Sequence, residues 1–587
     1  MFVVLKKLNW YFAMQWKRYT IAVVLLLLTG IIDIIPPWLI GHMIDGIHQG
    51  TITPSRFMEL MVFWGALIIG GYAIMYVWHY QLFGGAFVLE RLMRSRLMRH
   101  FLRMTPTFYE RNRTGDLMAR STNDLSAIAQ TAGFGILTLV DSTLFMVTLL
   151  IVMAAAISWK LTLAALLPLP FIALAISRYG KRIHERFTDA QQAFGGLNDQ
   201  VLEEVSGVRV TRAFVQERAS MARFRATTDE VYGRNIAVAR IEALFEPTIK
   251  VLVGASYLIG LGFGAYLVFR GEITLGELVS FNVFLGMLIW PMFAIGELIN
   301  IMQRGNASLD RVLATLGEQP DITDAPAPRQ DAEPGDIAFE RWTFRYPSAA
   351  TDNLRALTFA LQRGQTLGIV GRTGSGKTTL LRQLLREYPG GSGSVTIGGV
   401  PLADIPLERL LGWIGYVPQQ PVLFSRSVRD NVRFGRPEAS EAELEEALRR
   451  AALLRDIAQL PDGLETMVGE RGVALSGGQK QRVSIARALI AQPEVLLLDD
   501  ALSAVDAKTE AQIVDGIREA RAGKTTLITT HRLSAVQHAD LILVLEDGAI
   551  VERGTHAELL ELGGWYKKQY DRQQLESQLD EDGEQAR

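Results

Sequence analysis

Apolar positions in the first half of the chain gather into runs of membrane-spanning length. Six of them run roughly Ile21–Gly41, Phe57–Tyr80, Phe134–Ile157, Leu161–Tyr179, Pro247–Phe269 and Leu275–Ile299. At 1.5 Å per residue, ~20 residues cover the ~30 Å hydrocarbon core of a bilayer, so the pattern predicts six transmembrane helices. Basic residues crowd the connection after the second run (Arg91, Arg94, Arg96, Arg99, Arg103, Arg111, Arg113, Arg120) and the one after the fourth (Lys181, Arg182, Arg186). The other connectors hold only Arg56, Lys160 and Arg270, which places both termini and both long connections in the cytoplasm. The long connections keep a helical pattern, so the spans are expected to continue past the membrane. Short turns at Thr114–Leu117 and Val210–Glu217 mark their tips. Met1–Tyr19, with aromatics among lysines, reads as an interfacial helix.

The pattern changes at Asp321–Asp336, whose prolines and mixed charges suit neither helix nor strand. This segment divides residues 1–320 from a cytosolic domain expected over 337–570, with a polar tail over 571–587. Ile337–Tyr346 reads as a strand, and Thr366–Val370 as a short apolar strand ahead of a helical pattern over Leu380–Glu387. Pro493–Asp500 is a continuous apolar run, as expected of a strand covered on both faces. Ser440 and Glu443 form a capping box ahead of Leu444, Ala447, Leu448 and Ala451.

Composition adds little to this division. The 587 residues are 49% hydrophobic, and the net charge of −2 gives no reason to expect a nucleic-acid partner. The absence of cysteine excludes disulfides and thiolate metal sites.

The candidate chemistry begins at Gly371-Arg372-Thr373-Gly374-Ser375-Gly376-Lys377-Thr378-Thr379, a glycine-rich loop between a strand and a helix. Such a loop turns its N–H groups toward phosphate oxygens. Its lysine reaches the β- and γ-phosphates and the following hydroxyl, here Thr378, ligates Mg²⁺. The strand ending at Asp499 delivers a carboxylate to the same ion. Tyr346, about 25 residues ahead of the loop, is placed to stack on a base. Ser476-Gly477-Gly478-Gln479 opens a further helix and makes a second anion-seeking site.

The pairing of a P-loop, the Leu475–Gln479 signature and an apolar strand ending in two aspartates resembles the ATP-binding-cassette ATPases. With six spans ahead of it, the chain resembles an exporter half-transporter over essentially its whole length. The resemblance implies an all-α six-helix transmembrane domain fused to an α/β P-loop NTPase domain with a helical subdomain. It also implies ATP and Mg²⁺ as cofactors, a second half-transporter as partner, and a plasma-membrane location with the ATPase in the cytoplasm. By the same resemblance Gln419 touches Mg²⁺ and senses the γ-phosphate, and His531 is the switch histidine. Glu470-Arg471-Gly472 matches a segment contacting the membrane domain, and Ser503-Ala504-Val505-Asp506 a loop at the dimer interface.

One position departs from the family's pattern. Asp500 stands where a glutamate usually acts as base or orients the attacking water. This predicts a site that binds ATP and hydrolyses it slowly, as in bacterial heterodimeric multidrug exporters. The expected work is ATP-driven export of hydrophobic or amphiphilic small molecules by alternating access, with a lipid flippase, possibly homodimeric, as the alternative. Asp33, Asp141 and Glu297 lie in or near the spans, where a carboxylate costs about 2.5–3.5 kcal/mol and so belongs in a polar cavity. Aromatics including Trp38, Tyr72, Phe145 and Trp290 are candidates to line it.

Overall fold

The computed structural model describes residues 3–469, 473 and 475–585. The chain forms two compact units, residues 1–102 with 114–318, and residues 103–113 with 319–587. The expected segment Glu470-Arg471-Gly472 lies outside the described residues.

The first unit is helical. Among the described residues five helices are long and apolar enough to cross a membrane: Trp16–His48, Pro54–Phe101, Thr114–Ile172, Glu217–Phe269 and Leu275–Gly317. The fourth expected span, Leu161–Tyr179, is divided between Trp159–Leu166 and Leu169–Ser206. Pro168 and Pro170 lie at the break, where the missing N–H groups interrupt the ladder. Pro54–Phe101 is about 72 Å long at the helical rise, so it continues well past the membrane as the polar pattern predicts. Thr53 starts it by accepting the Arg56 N–H at 3.3 Å, with Pro54 in the first turn, where an N–H is not needed. The third span carries π-helical turns at Arg120–Asp124, Asp141–Phe145 and Met153–Ser158. The N-terminal stretch is broken into Val3–Lys7 and Asn9–Met14, and its apolar side is fully buried at Val4, Leu8 and Tyr11.

Small residues let the outer ends of two spans touch. A Cβ on Gly276 would lie 1.9 Å from the Gly41 carbonyl oxygen, so only glycine fits. Beside it, Asp45 accepts the Gly276 N–H at 2.8 Å and the Thr274 hydroxyl, capping the helix Leu275–Met287 from another element.

The second unit is built on two sheets. β1 (Ile337–Phe344), β2 (Leu354–Leu361), β4 (Ser392–Ile397) and β5 (Val400–Pro401) form an antiparallel sheet ordered β2-β1-β4-β5. The larger sheet runs β10-β9-β3-β8-β7-β6, with β3 Thr366–Gly371, β6 Ile414–Val417, β7 Val495–Asp499, β8 Thr525–Thr529, β9 Leu541–Glu546 and β10 Ala549–Gly554. Its strands β6, β7, β8, β3 and β9 are parallel, and β10 returns antiparallel. Every residue of β7 and β8 is buried, which explains the unbroken apolar run at 495–498.

A helical part holds the capping box at Ser440. The Glu443 N–H bonds Ser440 Oγ at 3.3 Å, the Ser440 N–H bonds Glu443 at 2.9 Å, and Leu444, Ala447, Leu448 and Ala451 are buried beyond it. The polar tail continues the helix Trp565–Gln585. The short helix Pro106–Arg111 also belongs to this unit, where the Tyr388 hydroxyl bonds the Glu110 carboxylate and Thr105 bonds Asp321. This turn lies ahead of the expected tip at Thr114–Leu117, which starts the next helix in the first unit.

Candidate nucleotide site

The loop after β3 curls because three of its glycines hold positive φ, 149° at Gly371, 84° at Gly374 and 101° at Gly376. At Gly371 a Cβ would also strike the Leu545 carbonyl oxygen at 2.2 Å. Gly376 then caps a helix that runs Lys377–Leu384, three residues earlier at each end than the apolar pattern indicates. The helix therefore opens inside the motif, with its N-terminal N–H groups facing the loop. Lys377 Nζ donates to the Gly371 and Arg372 carbonyls, 2.9 Å each, so the loop holds its own lysine where phosphates are expected. Burial pulls the Lys377 ammonium below its usual range, with Asp500 and Asp499 opposing.

Asp499 ends β7 in register with Thr529 of β8. Its Oδ1 accepts the hydroxyls of Thr378 and Thr529, both at 2.8 Å, and its Oδ2 accepts Tyr416 at 3.3 Å. Thr378 and Asp499 thus share one point, and Gln419 lines the same cavity with its amide oxygen free of any described bond. Among the described residues no group of three or more His, Cys, Asp or Glu gathers to hold a metal. The donor set of hydroxyl, carboxylate and amide oxygens suits Mg²⁺, a hard ion that keeps waters and phosphate oxygens in its shell.

Asp500 follows with φ 47°, a left-handed conformation that aspartate tolerates better than most residues. Its N–H bonds the Thr529 carbonyl at 2.9 Å, which fixes the turn. Its Oδ1 lies 2.9 Å from His531 Nδ1, and its Oδ2 accepts a long 3.5 Å bond from the Gln419 amide. The hydrogen bond to Asp500 holds the His531 imidazole above its usual pKa, against opposition from burial.

These groups face a cavity of about 380 Å³, lined by Thr373, Gly374, Gly376, Lys377, Thr378, Thr379, Gln419, Asp499, Asp500 and His531 among others. Gly371, Arg372 and Ser375 shape the loop behind it. Tyr346 lies beside the cavity, not on its wall: its hydroxyl bonds Thr379 at 3.1 Å and its ring packs edge-on against Tyr388. The wall also includes Asn353, Arg355, Asp547 and Gly548, which sequence reasoning missed. Asp547-Gly548 is a two-residue hairpin turn between β9 and β10, legible as a turn. Only the fold brings it to the P-loop, where the Gly548 N–H bonds the Ser375 carbonyl at 3.1 Å.

None of Ser476, Gly477, Gly478 or Gln479 lines this cavity. Ser476 and Gln479 cap one another, with the Gln479 N–H on Ser476 Oγ at 3.2 Å and the Ser476 N–H on Gln479 Oε1 at 2.9 Å. Ser476 and Gly477 are exposed. The Ser503–Asp506 loop packs against this helix, its Ala504 N–H bonded to Gln481 at 3.0 Å.

Residues 19–292 match the family described as ABC transporter transmembrane region, and residues 354–503 the family described as ABC transporter. A Bacillus subtilis relative, described as the probable multidrug resistance ABC transporter ATP-binding/permease protein YheI, is 61% identical over 98% of both chains. The chain is an ABC transporter. Its ATPase domain is coupled to transport through a membrane-spanning domain on the same polypeptide. The Escherichia coli multidrug resistance-like ATP-binding protein MdlA is 42% identical, over 98% of this ABC transporter and 97% of MdlA. The fold is that of an ATP-bound bacterial Atm1-family ABC exporter, with TM-score 0.79 and 24% identity, covering 95% of this chain and 99% of that one.

Proposed function

We propose that this ABC transporter is one half of a two-chain exporter of hydrophobic or amphiphilic small molecules, and that its own P-loop retains Mg²⁺-ATP with slow hydrolysis. The observation that carries this reading is the separation of the signature from the cavity. A nucleotide on Lys377 lacks a signature in its own chain, while exposed Ser476 and Gly477 have no phosphate to bind. Each supplies what the other lacks when a second cassette faces this one. An apolar tip at Val208, Val210, Phe214 and Val215 is also exposed and suits docking on that second chain's ATPase. The multidrug descriptions of YheI and MdlA support the substrate class.

In this mechanism Lys377 would turn from the loop carbonyls to the β- and γ-phosphates, and Thr378, Asp499 and Gln419 would hold a Mg²⁺, which when bound would supply charge neutralisation on those phosphates. His531 and Gln419 report the γ-phosphate. Asp500 has one oxygen on His531 and the other on Gln419, and is one methylene shorter than glutamate. Withdrawal of a base by ~1 Å can cost about 10²-fold in rate, or ~2.7 kcal/mol of barrier. The partner chain is therefore the one expected to carry a competent base, completed by Ser476–Gln479 of this chain.

Purification of the tagged chain from its native membrane tests the proposal. Recovery of a second, different cassette chain, with ATP retained at the Lys377 site, is expected. A homodimer with full drug-stimulated ATPase, unimpaired by Asp500→Asn, would overturn it.

A further inference from the structure

The C-terminal helix Trp565–Gln585 starts on the Glu552 carboxylate, which accepts the N–H groups of Trp565 and Tyr566. Tyr566 is fully buried in the core that also holds Leu533 and Val536, and its hydroxyl lies 2.8 Å from His556 Nδ1. Gln573 follows about two turns later on the same face of the helix. Its side chain meets the segment after β8. Gln573 Nε2 donates to the His531 carbonyl at 2.7 Å, and Gln573 Oε1 accepts the Leu533 N–H at 2.9 Å. One planar amide thus holds the carbonyl of His531 and the N–H of Leu533, as a paired strand does.

Arg532, between the two, is extended at φ −94° and ψ 114°. Its guanidinium donates to the Val505 carbonyl at 2.8 Å, the Ser503 carbonyl at 3.2 Å and the Glu510 carboxylate at 2.7 Å. The tripeptide His531–Leu533 is therefore gripped along its backbone by the C-terminal helix and tied through Arg532 to the Ser503–Asp506 loop. His531 itself stands on the wall of the nucleotide cavity, its ring 2.9 Å from Asp500. The carbonyl that Gln573 holds and the imidazole on the wall belong to one residue, so the amide sets the backbone from which that ring projects. Only an amide can make both bonds. Alanine offers neither group, and a glutamate carboxylate accepts from Leu533 but faces the His531 carbonyl with no proton to donate.

We propose that Gln573 is a positioning residue for the nucleotide site, which aims His531 at the γ-phosphate and so sets this chain's preference for ATP over ADP. Small displacements of a group that must meet a phosphate oxygen are costly, even when they arise at a distance. ADP has no γ-phosphate, so its affinity does not pass through His531. This role rests on the reading of Lys377 and His531 as phosphate ligands, and it needs no turnover to be tested.

The test uses the full chain, with any co-purified partner, in nanodiscs on ice. 8-Azido-ATP is bound with Mg²⁺ and photocrosslinked, and its displacement by ATP or by ADP is read on this chain after the chains are separated. The wild type is expected to prefer ATP. Gln573→Ala and Gln573→Glu should each lower that preference about fivefold through weaker ATP binding, with displacement by ADP unchanged. Gln574→Ala, at an exposed neighbour, should alter neither. In a His531→Ala background the carbonyl remains but the ring is gone, and Gln573→Glu should cause no further loss. Equal losses for ATP and ADP, or a loss that persists without the imidazole, would make the clamp purely structural and overturn the proposal. A wild type without an ATP preference, or a preference unaltered in both Gln573 variants, overturns it as well. Lys377→Ala reports the nucleotide reading separately. Photolabelling that survives it overturns that reading and the proposal together, whereas labelling lost in Lys377→Ala beside an intact preference in the Gln573 variants overturns the proposal alone.

Discussion

His531 Nδ1 and Asp500 Oδ1 lie 2.9 Å apart, so the carboxylate that follows Asp499 is engaged with an imidazole on the same cavity wall. Its other oxygen faces Gln419. Asp500→Glu adds the missing methylene, and in an assembled pair whose partner base has been removed, phosphate release at this chain's own site should rise by up to ~10²-fold. Nucleotide affinity should stay unchanged, since Lys377, Thr378 and Asp499 are untouched. Steady-state phosphate release and equilibrium ATP binding together check this.

The same pair sets a pH dependence. His531 has its pKa raised in the folded chain, first by the bond to Asp500. Its contribution to stability is therefore complete below the unfolded value of ~6.5 and is lost as pH rises through the raised folded value. The difference in unfolding midpoint between wild type and His531→Ala should be largest below about pH 6.5 and shrink above it. In an Asp500→Asn background the slope should flatten. Thermal melts across pH 5.5–9 would read this out, and a gap widening with pH would contradict it.

Lys377→Ala and Ser476→Ala should separate binding from partnership. Removing the lysine leaves the loop without its cation, and ATP binding to the chain should fall more than tenfold. Ser476→Ala removes a helix cap worth ~1 kcal/mol but touches no wall of the ATP cavity. Binding to the chain alone should persist while ATPase of the assembled pair drops. Equilibrium ATP binding and coupled ATPase assays distinguish the two outcomes.

Gly276→Ala places a methyl group 1.9 Å from the Gly41 carbonyl oxygen, between two helices that Asp45 also ties together. Overpacking of this kind costs typically ~1–3 kcal/mol, so the unfolding midpoint in detergent should fall. An unchanged midpoint would mean that the two helix ends do not touch.

Local motifs were legible because their chemistry is local. Gly371–Thr379, Asp499 and the Ser440–Glu443 box each carry their physical reason within a few residues. What sequence could not supply is contact across distance. Asp547-Gly548 reads as a turn, but only sheet order brings it onto the P-loop. Tyr346 reads in the sequence as a base-stacking aromatic, but only the fold ties its hydroxyl to Thr379 and packs its ring against Tyr388. The break at 167–168 was written in Pro168, and the apolar run masked it. Asp33 and Asp141 stand out in the sequence as costly in an apolar span, whereas nothing in the sequence marks Trp78, whose buried N–H lacks a partner among the described residues.

Because Ser476 lies off the wall that Lys377 helps to build, the two lesions Lys377→Ala and Ser476→Ala are genetically distinct. Co-expressed from two alleles, they can restore transport only in complexes that contain two copies of this polypeptide, where one composite site stays intact. In a complex with one copy, no mixture of the alleles rescues the other. Interallelic complementation therefore counts the copies of this chain in the working assembly, inside the living cell.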